Sequence, residues 1–505
     1  MRALEPRVLG ISTLKLGMLF LGGCITAALV VLSDNALLYS AAAICALLLM
    51  AYVLSAVASG NWQRLVLVWA LSYPLGYYFL SFPQEHPIFN LDRAVVGILG
   101  AVLIAQLVQR PKALPTPILY AGLSWVGFIA VALISLRDLR GWSLLYSLRV
   151  LIDTFILPGV LALYVVRKFD VRRHLSELGV VLSVMSIYLA GIGIAEAILH
   201  KDLLPLSPDN ALLLGNDVIF RANGPFESGS TYALVGVINF LLIRFIQRTT
   251  GLGLPHWQRH LQRIGMFAAF LVSIVPMHRG IVVTWAVIGV IEAWQNRKNS
   301  EWWKETGWRW AALLIAFSLG LVAIKAIFPY LYEDRVENSS NVYSRLAQHE
   351  QSLAILQDHL WVGAGFGQFT QTVTNDSKYR FFYEGVPSIN YPHNTLLNVA
   401  AETGLFGLFF FVLSQWFFLR TFRELPVKQA HLAWSAFVSI FAAYWIFGMD
   451  VSVGYFEELN IWYMFALAVC IKYAYTEYHA DAIDEVAAFS KSATARLLSL
   501  QPEIR

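Results

Sequence analysis

The spacing of its apolar runs constrains this chain more than any other feature. A helix needs about 20 apolar residues to cross the hydrocarbon of a bilayer. Runs of that kind recur near 14–33, 36–59, 65–82, 94–109, 118–136, 144–166, 178–198, 231–247, 264–277, 280–296, 310–328, 394–419, 430–449 and 461–475, fourteen in all. The pair 264–277 and 280–296 is the weakest, being short runs with Pro276 at their junction. Composition agrees: 14% of the residues are charged, against about 25% in a soluble domain. With 37 basic and 33 acidic side chains, 505 residues cannot coat the surfaces of several soluble cores. A soluble enzyme, a disordered chain and a nucleic-acid binder are excluded. The pattern predicts an all-α polytopic membrane protein with about 12–14 transmembrane helices. The first run lacks an A-x-A cleavage site and is followed at once by a second, so it reads as a span rather than a signal peptide. Cys24, Cys45 and Cys470 lie in apolar runs and offer neither a disulfide framework nor a zinc spacing.

Charge placement sets the orientation, because Lys and Arg concentrate in cytoplasmic loops. With the N-terminus inside, 25 of the 37 basic residues fall in cytoplasmic segments and 10 in external loops, while 18 of the 33 acidic residues fall outside. Both termini are therefore expected in the cytoplasm. The predicted organisation is a bundle of eleven spans over 1–328, an external loop over 329–393, three further spans over 394–475 and a polar tail over 476–505. In the long loop Val342, Leu346, Leu353, Leu356 and Leu360 recur at helical spacing, which predicts an amphipathic helix lying on the membrane or on the bundle. Tyr379, Phe381, Phe382, Tyr383 and Tyr391 follow, a cluster suited either to the membrane interface or to stacking on sugar rings.

Three groups with chemical potential fall on the external side. Arg221 opens Arg221-Ala222-Asn223-Gly224-Pro225-Phe226 before one span, Arg279 sits in the tight turn before another, and His393 precedes a third. An arginine at headgroup level either snorkels or grips phosphate oxygens bidentately. A histidine there can take a proton near neutral pH. Together they would hold a diphosphate and deprotonate a hydroxyl beside it. Pro392 disfavours helix at Tyr391, so a helix should start at or just after His393, where the helix dipole favours the neutral imidazole. Gly363-Ala364-Gly365-Phe366-Gly367 resembles a nucleotide loop, but no strand precedes it and no Lys follows. His349-Glu350 begins a zincin-like pattern whose second histidine is missing. Arg149 and Asp153 are spaced for an ion pair within one span, and Glu196 and Glu402 read as structural hydrogen-bonding groups inside others. With no acidic cluster at metal-ligand spacing, neither a metal nor another cofactor is expected.

The stretch from Ser344-Arg345-Leu346 through Asp358-His359-Leu360-Trp361-Val362-Gly363-Ala364-Gly365, then His393-Asn394-Thr395-Leu396-Leu397 and Glu402-Thr403-Gly404-Leu405-Phe406-Gly407, resembles the large-loop signature of the O-antigen ligase and polymerase superfamily. Arg221 and Arg279 resemble its two external arginines. Leu360 replaces the usual proline, His278 replaces the usual serine, and the Asn-rich run after the first arginine is absent. The resemblance implies a GT-C-like bundle in a bacterial inner membrane. It implies an inverting, metal-independent glycosyltransferase facing the periplasm, working in lipopolysaccharide or exopolysaccharide biosynthesis. The donor would be a glycan on undecaprenyl diphosphate, and the acceptor a sugar hydroxyl on lipid A–core or on a lipid-linked repeat unit. His393 would be the general base and Arg221 and Arg279 the diphosphate ligands, with Asn394, Glu402, Arg345, Asp358 and His359 in support. Two other classes stand beside it. One is a flippase or transporter for lipid-linked saccharides, with Arg149, Asp153, Glu196, Lys325 and Glu402 along its path. The other is a purely structural polytopic subunit.

Overall fold

The computed structural model describes residues 60–76, 81–82, 89–109, 114–136, 141–200, 203, 211–214, 217–220, 222–226, 228–298, 340–387, 392–424, 427–450 and 459–476. Within them the chain is helical: α1 (Trp62–Gly76), α2 (Leu91–Gln109), α3 (Thr116–Ser135), α4 (Gly141–Leu151), α5 (Leu157–Lys168), α6 (Val171–Leu199), α7 (Gly229–Thr250), α8 (His256–Ile274), α9 (Arg279–Gln295), α10 (Ser340–Asp358), α11 (Phe369–Asn375), α12 (Thr395–Arg420) and α13 (Val427–Asp450). A last helix, α14, covers 459–476. A π-helical turn, Ile152–Ile156, joins α4 and α5 into one rod. Three antiparallel two-stranded ladders decorate the loops: β1 (Ser81–Phe82) with β2 (Phe89–Asn90), β3 (Ala211–Leu214) with β4 (Asp217–Phe220), and β5 (Phe382–Tyr383) with β6 (Val386–Pro387).

Among the described residues, six helical stretches are long and apolar enough to cross a membrane: Thr116–Ser135, Ser143–Lys168, Val171–Leu199, Gly229–Thr250, Thr395–Arg420 and His431–Met449. The protein is an all-α, multi-pass membrane protein. The expected spans at 14–33, 36–59 and 310–328 and the tail beyond residue 476 lie outside the described residues. The doubtful pair resolves into α8 and α9, separate helices with Pro276 in the turn between them. Helix starts follow side-chain chemistry: the Ser228 hydroxyl accepts the Thr231 N–H at 3.2 Å at the head of α7, and the Asp170 carboxylate accepts that of Arg173 at 3.2 Å before α6.

Helix α12 lies along α3, α8 packs on α6 and α7, α13 packs on α7 and α9, and α10 rests on α12. Lipid offers no hydrophobic drive for helices to associate, so close backbone approach matters. At Gly236 of α7 an added methyl would stand 2.7 Å from the Ala269 carbonyl of α8. Trp69, Tyr73, Trp462 and Phe465 join α1 to α14, with Tyr73 and Trp462 stacked at 4.7 Å.

One expectation needs correction. Asp153 does not pair with Arg149. It faces α2, where the Arg93 guanidinium grips both carboxylate oxygens, one at 2.7 Å from Nε. Asp153 lies within the π turn, and Arg149 lies 5.3 Å over the Tyr146 ring instead. The expected loop helix is present as α10, and of its two expected settings its apolar stripe takes the one turned away from the bundle. Val342, Leu346 and Leu353 are exposed, while Ser344, Ala347, Gln348, Gln351, Ser352 and Ile355 are buried. Two of these buried polar side chains make bonds that leucines could not: Gln351 Nε2 donates to the Tyr379 carbonyl at 2.7 Å, and Gln348 Oε1 accepts a backbone N–H at 3.1 Å.

Candidate active site

The loop after α10 is zipped into a break in α12. Gly404 has φ 67° and ψ −170°, which interrupts the helix and frees carbonyls above the break. Ala364 N–H donates to the Ala401 carbonyl at 2.9 Å and Gly365 N–H to that of Glu402 at 3.0 Å. In return Leu405 N–H donates to the Leu360 carbonyl at 2.8 Å. A methyl at Gly363 would overlap the Glu402 backbone, and one at Gly404 would overlap that of Trp361. These glycines are there because two backbones touch, not to cradle a phosphate. The buried Glu402 carboxylate accepts the Phe369 N–H at 3.2 Å and ties the far side of the loop to α12. On the other flank Phe366 N–H donates to Ser135 Oγ at 3.0 Å and Gln368 Nε2 to Ser147 Oγ at 2.7 Å, fastening the loop to α3 and α4.

Asp358 accepts the Tyr379 hydroxyl at 2.8 Å and pairs with the Lys378 ammonium at 3.1 Å. Tyr379 first and Lys378 second hold its carboxyl below the ordinary carboxylate range, and Tyr379 first and Asp358 second push the Lys378 ammonium up. Tyr379 is buried with Ile355, Phe369, Val373 and Ala401 in a small core of the loop. The aromatic cluster therefore divides. Tyr379 is structural, Tyr383 stacks on Tyr343 at 5.6 Å, Phe382 is exposed, and Tyr391 lies outside the described residues.

His393 stands one residue before the cap of α12. Asn394 Oδ1 accepts the Leu397 N–H at 3.1 Å, which starts the helix where Pro392 predicts it. The His393 side chain is half-buried, and its backbone N–H donates to Gln348 Oε1 of α10 at 3.1 Å. Asn394 Nδ2 reaches Met449 Sδ at 3.6 Å, and His278, the residue before Arg279, stacks on Phe447 at 5.2 Å. Both turns thus rest against the last turn of α13. A third turn, 222–226, joins them. Gly224 N–H donates to the buried Glu196 carboxylate at 2.8 Å, and Phe226 packs on Tyr73 and Tyr232 at 6.0 Å each. A methyl at Gly229 would lie 3.2 Å from both Asn223 Oδ1 and Pro276 Cβ, so this turn adjoins the one that leads to Arg279. The three segments singled out from sequence share one end of the bundle. Arg221 itself lies outside the described residues. Arg279 opens α9 by its backbone, and its side chain lies outside them.

The supporting residues fall into two groups. Asn394 adjoins His393. Glu402 lies about 13 Å further along α12 and Asp358 about 15 Å along α10 from Gln348, at 1.5 Å per residue, so both shape the loop from a distance. His359 and Arg345 are exposed. The sequence reading gave Ser344 no part beyond the Ser-Arg-Leu signature and did not single out Gln348, whose oxygen holds the His393 backbone N–H. Their signal was present as the polar stripe Ser344, Gln348, Gln351, Ser352 opposite the leucines, but such a stripe reads as a solvated face. The buried carboxylates of the described helices are occupied: Asp92 by Trp69, Asp153 by Arg93, Glu196 by Gly224, Glu292 by Arg244 and Glu402 by Phe369. Among the described residues no group of three or more His, Cys, Asp or Glu is arranged to hold a metal ion.

A multi-pass helical membrane protein whose 222–226, 275–278 and 392–394 turns meet at one end, with a glycine loop locked into a broken helix, defines a class. Residues 227–412 match the family model described as O-antigen ligase. That stretch begins six residues after Arg221 and takes in Arg279, α10, the glycine loop, His393 and the break at Gly404. The match supports the resemblance to the O-antigen ligase and polymerase superfamily. No curated protein matches the chain.

Proposed function

We propose that the protein is a membrane glycosyltransferase that moves a glycan from undecaprenyl diphosphate to an acceptor sugar hydroxyl at the periplasmic face of a bacterial inner membrane. The observation that carries this reading is the meeting of the 222–226, 275–278 and 392–394 turns at one end of the bundle, two of them against the end of α13. In the mechanism, the arginines that flank these turns, Arg221 and Arg279, grip the diphosphate through their guanidinium forks and stabilise the charge that develops as it leaves. Neutral His393 takes the proton of the attacking hydroxyl. The hydroxyl oxygen bonds to the anomeric carbon as the bond to the diphosphate breaks, in one displacement that inverts the configuration. The guanidiniums do the work a metal would otherwise do, so EDTA leaves the reaction intact.

The test is transfer by purified protein in detergent, with undecaprenyl-diphosphate-linked glycan as donor and either lipid A–core or a second lipid-linked repeat unit as acceptor. Release of undecaprenyl diphosphate together with an extended acceptor is the expected result. No transfer to either acceptor, from protein that is folded by thermal melt, would overturn the proposal.

A further inference from the structure

Helix α10 carries three buried polar atoms that have no partner among the described residues: Gln351 Oε1, Nε2 of Gln348, a fully buried residue bonded to the His393 backbone, and Oγ of Ser344, which is 5% exposed. The orientation of the Gln348 amide is fixed by chemistry. The His393 backbone N–H is a donor, so the amide atom facing it at 3.1 Å must be the oxygen, and the NH2 group is turned to the other side. Ser344 is one helical turn back, at the i−4 position, so the two side chains share a face of α10. The same face is held against α12, whose cap follows His393. Buried donors without partners are rare in folded proteins because water has been lost and nothing has replaced it. Two donors, Gln348 Nε2 and Ser344 Oγ, one turn apart on the helix that holds the His393 backbone, point to a ligand with oxygen atoms at matching spacing. Both groups are neutral. An amide NH2 and a hydroxyl suit the ring and hydroxyl oxygens of a sugar, whereas a diphosphate calls for cations.

Resting on the glycosyltransferase reading above, we propose that Gln348 and Ser344 form the subsite that orients the acceptor sugar, donating to its oxygens so that the attacking hydroxyl faces His393. Gln348 then has two roles. Its oxygen fixes the backbone at His393, and its NH2 binds the glycan.

The two roles separate by substitution. Gln348→Glu keeps an oxygen for the His393 N–H and removes the NH2. Gln348→Met removes both, and Ser344→Ala removes only the hydroxyl. In the purified transfer assay, with lipid A–core or the second lipid-linked repeat unit as the varied acceptor, Ser344→Ala should raise the acceptor KM about three- to tenfold, the loss of one neutral hydrogen bond, with kcat and donor KM unchanged. Gln348→Glu should raise it at least as much, and Gln348→Met should also lower kcat as His393 loosens. Wild-type kinetics in Gln348→Glu would reduce Gln348 to a backbone support and overturn the subsite. So would an unchanged acceptor KM in Ser344→Ala. A wild-type enzyme that transfers no glycan would instead overturn the reading beneath it, so the two failures are distinguishable.

Discussion

His393 illustrates how a residue is set up by its neighbours. Its chain direction is fixed by Pro392, its exit into helix by the Asn394 cap, and its backbone N–H by Gln348. None of these contacts needs the imidazole. His393→Ala should therefore reach wild-type expression and melting temperature, still bind lipid-linked donor, and lose transfer by roughly 10²–10⁴-fold, as for removal of a general base. Unchanged turnover in the purified assay would exclude the histidine. Arg279→Lys tests the other half of the chemistry. A lysine keeps the charge but not the fork, so product should fall strongly at normal protein level. Wild-type activity in both Arg221→Ala and Arg279→Ala would leave the two arginines as membrane-interface anchors.

At the scale of elements, the loop and the broken helix are one unit, since each supplies the other's missing partners. Gly404→Ala puts a methyl into the Trp361 backbone at a positive φ. Its cost should exceed the roughly 1–2 kcal/mol that a left-handed residue costs by itself. Gly385→Ala is the control, with φ +78° but open space around it. The thermal midpoint of purified Gly404→Ala should fall well below that of Gly385→Ala, and equal midpoints would refute the zipper. Helix α10 carries its own pH dependence. Burial first, and the Arg345 charge second, lower the pKa of His349 below its ordinary 6.5. The folded form therefore prefers a neutral ring, and the unfolded segment binds the proton first. The stability that His349 contributes is fully present above about pH 6.5 and is lost as pH falls through its lowered value. Limited proteolysis within 340–358 should accelerate between pH 7.5 and 5.5, and His349→Gln should flatten that change.

For the whole molecule, the charge asymmetry predicts sidedness. A reporter active only outside the membrane should work when fused within 335–390 or 203–220 and stay silent at 168–176 or 250–260. The reverse pattern would move the proposed site to the wrong compartment. The fold class was legible in the sequence, because a bilayer allows only helices or closed barrels and demands about 20 apolar residues for each helical crossing. The start of α12 and the structural part played by Glu196 and Glu402 were legible too, since proline, a capping asparagine and a buried carboxylate act through local chemistry. Three things were decided only by tertiary contact. Asp153 chose Arg93 of another helix over Arg149 of its own, because the reach of a side chain across an interface is not encoded in i,i+4 spacing. The glycine loop could not be told from a phosphate loop until its backbone met the break at Gly404, since glycine reports only that something approaches closely, not what. Helix α10 turned its polar stripe inward, because the surface it meets offers hydrogen bonds as well as apolar contact. A pattern of leucines fixes which side chains share a face and leaves the choice of face to what that face meets.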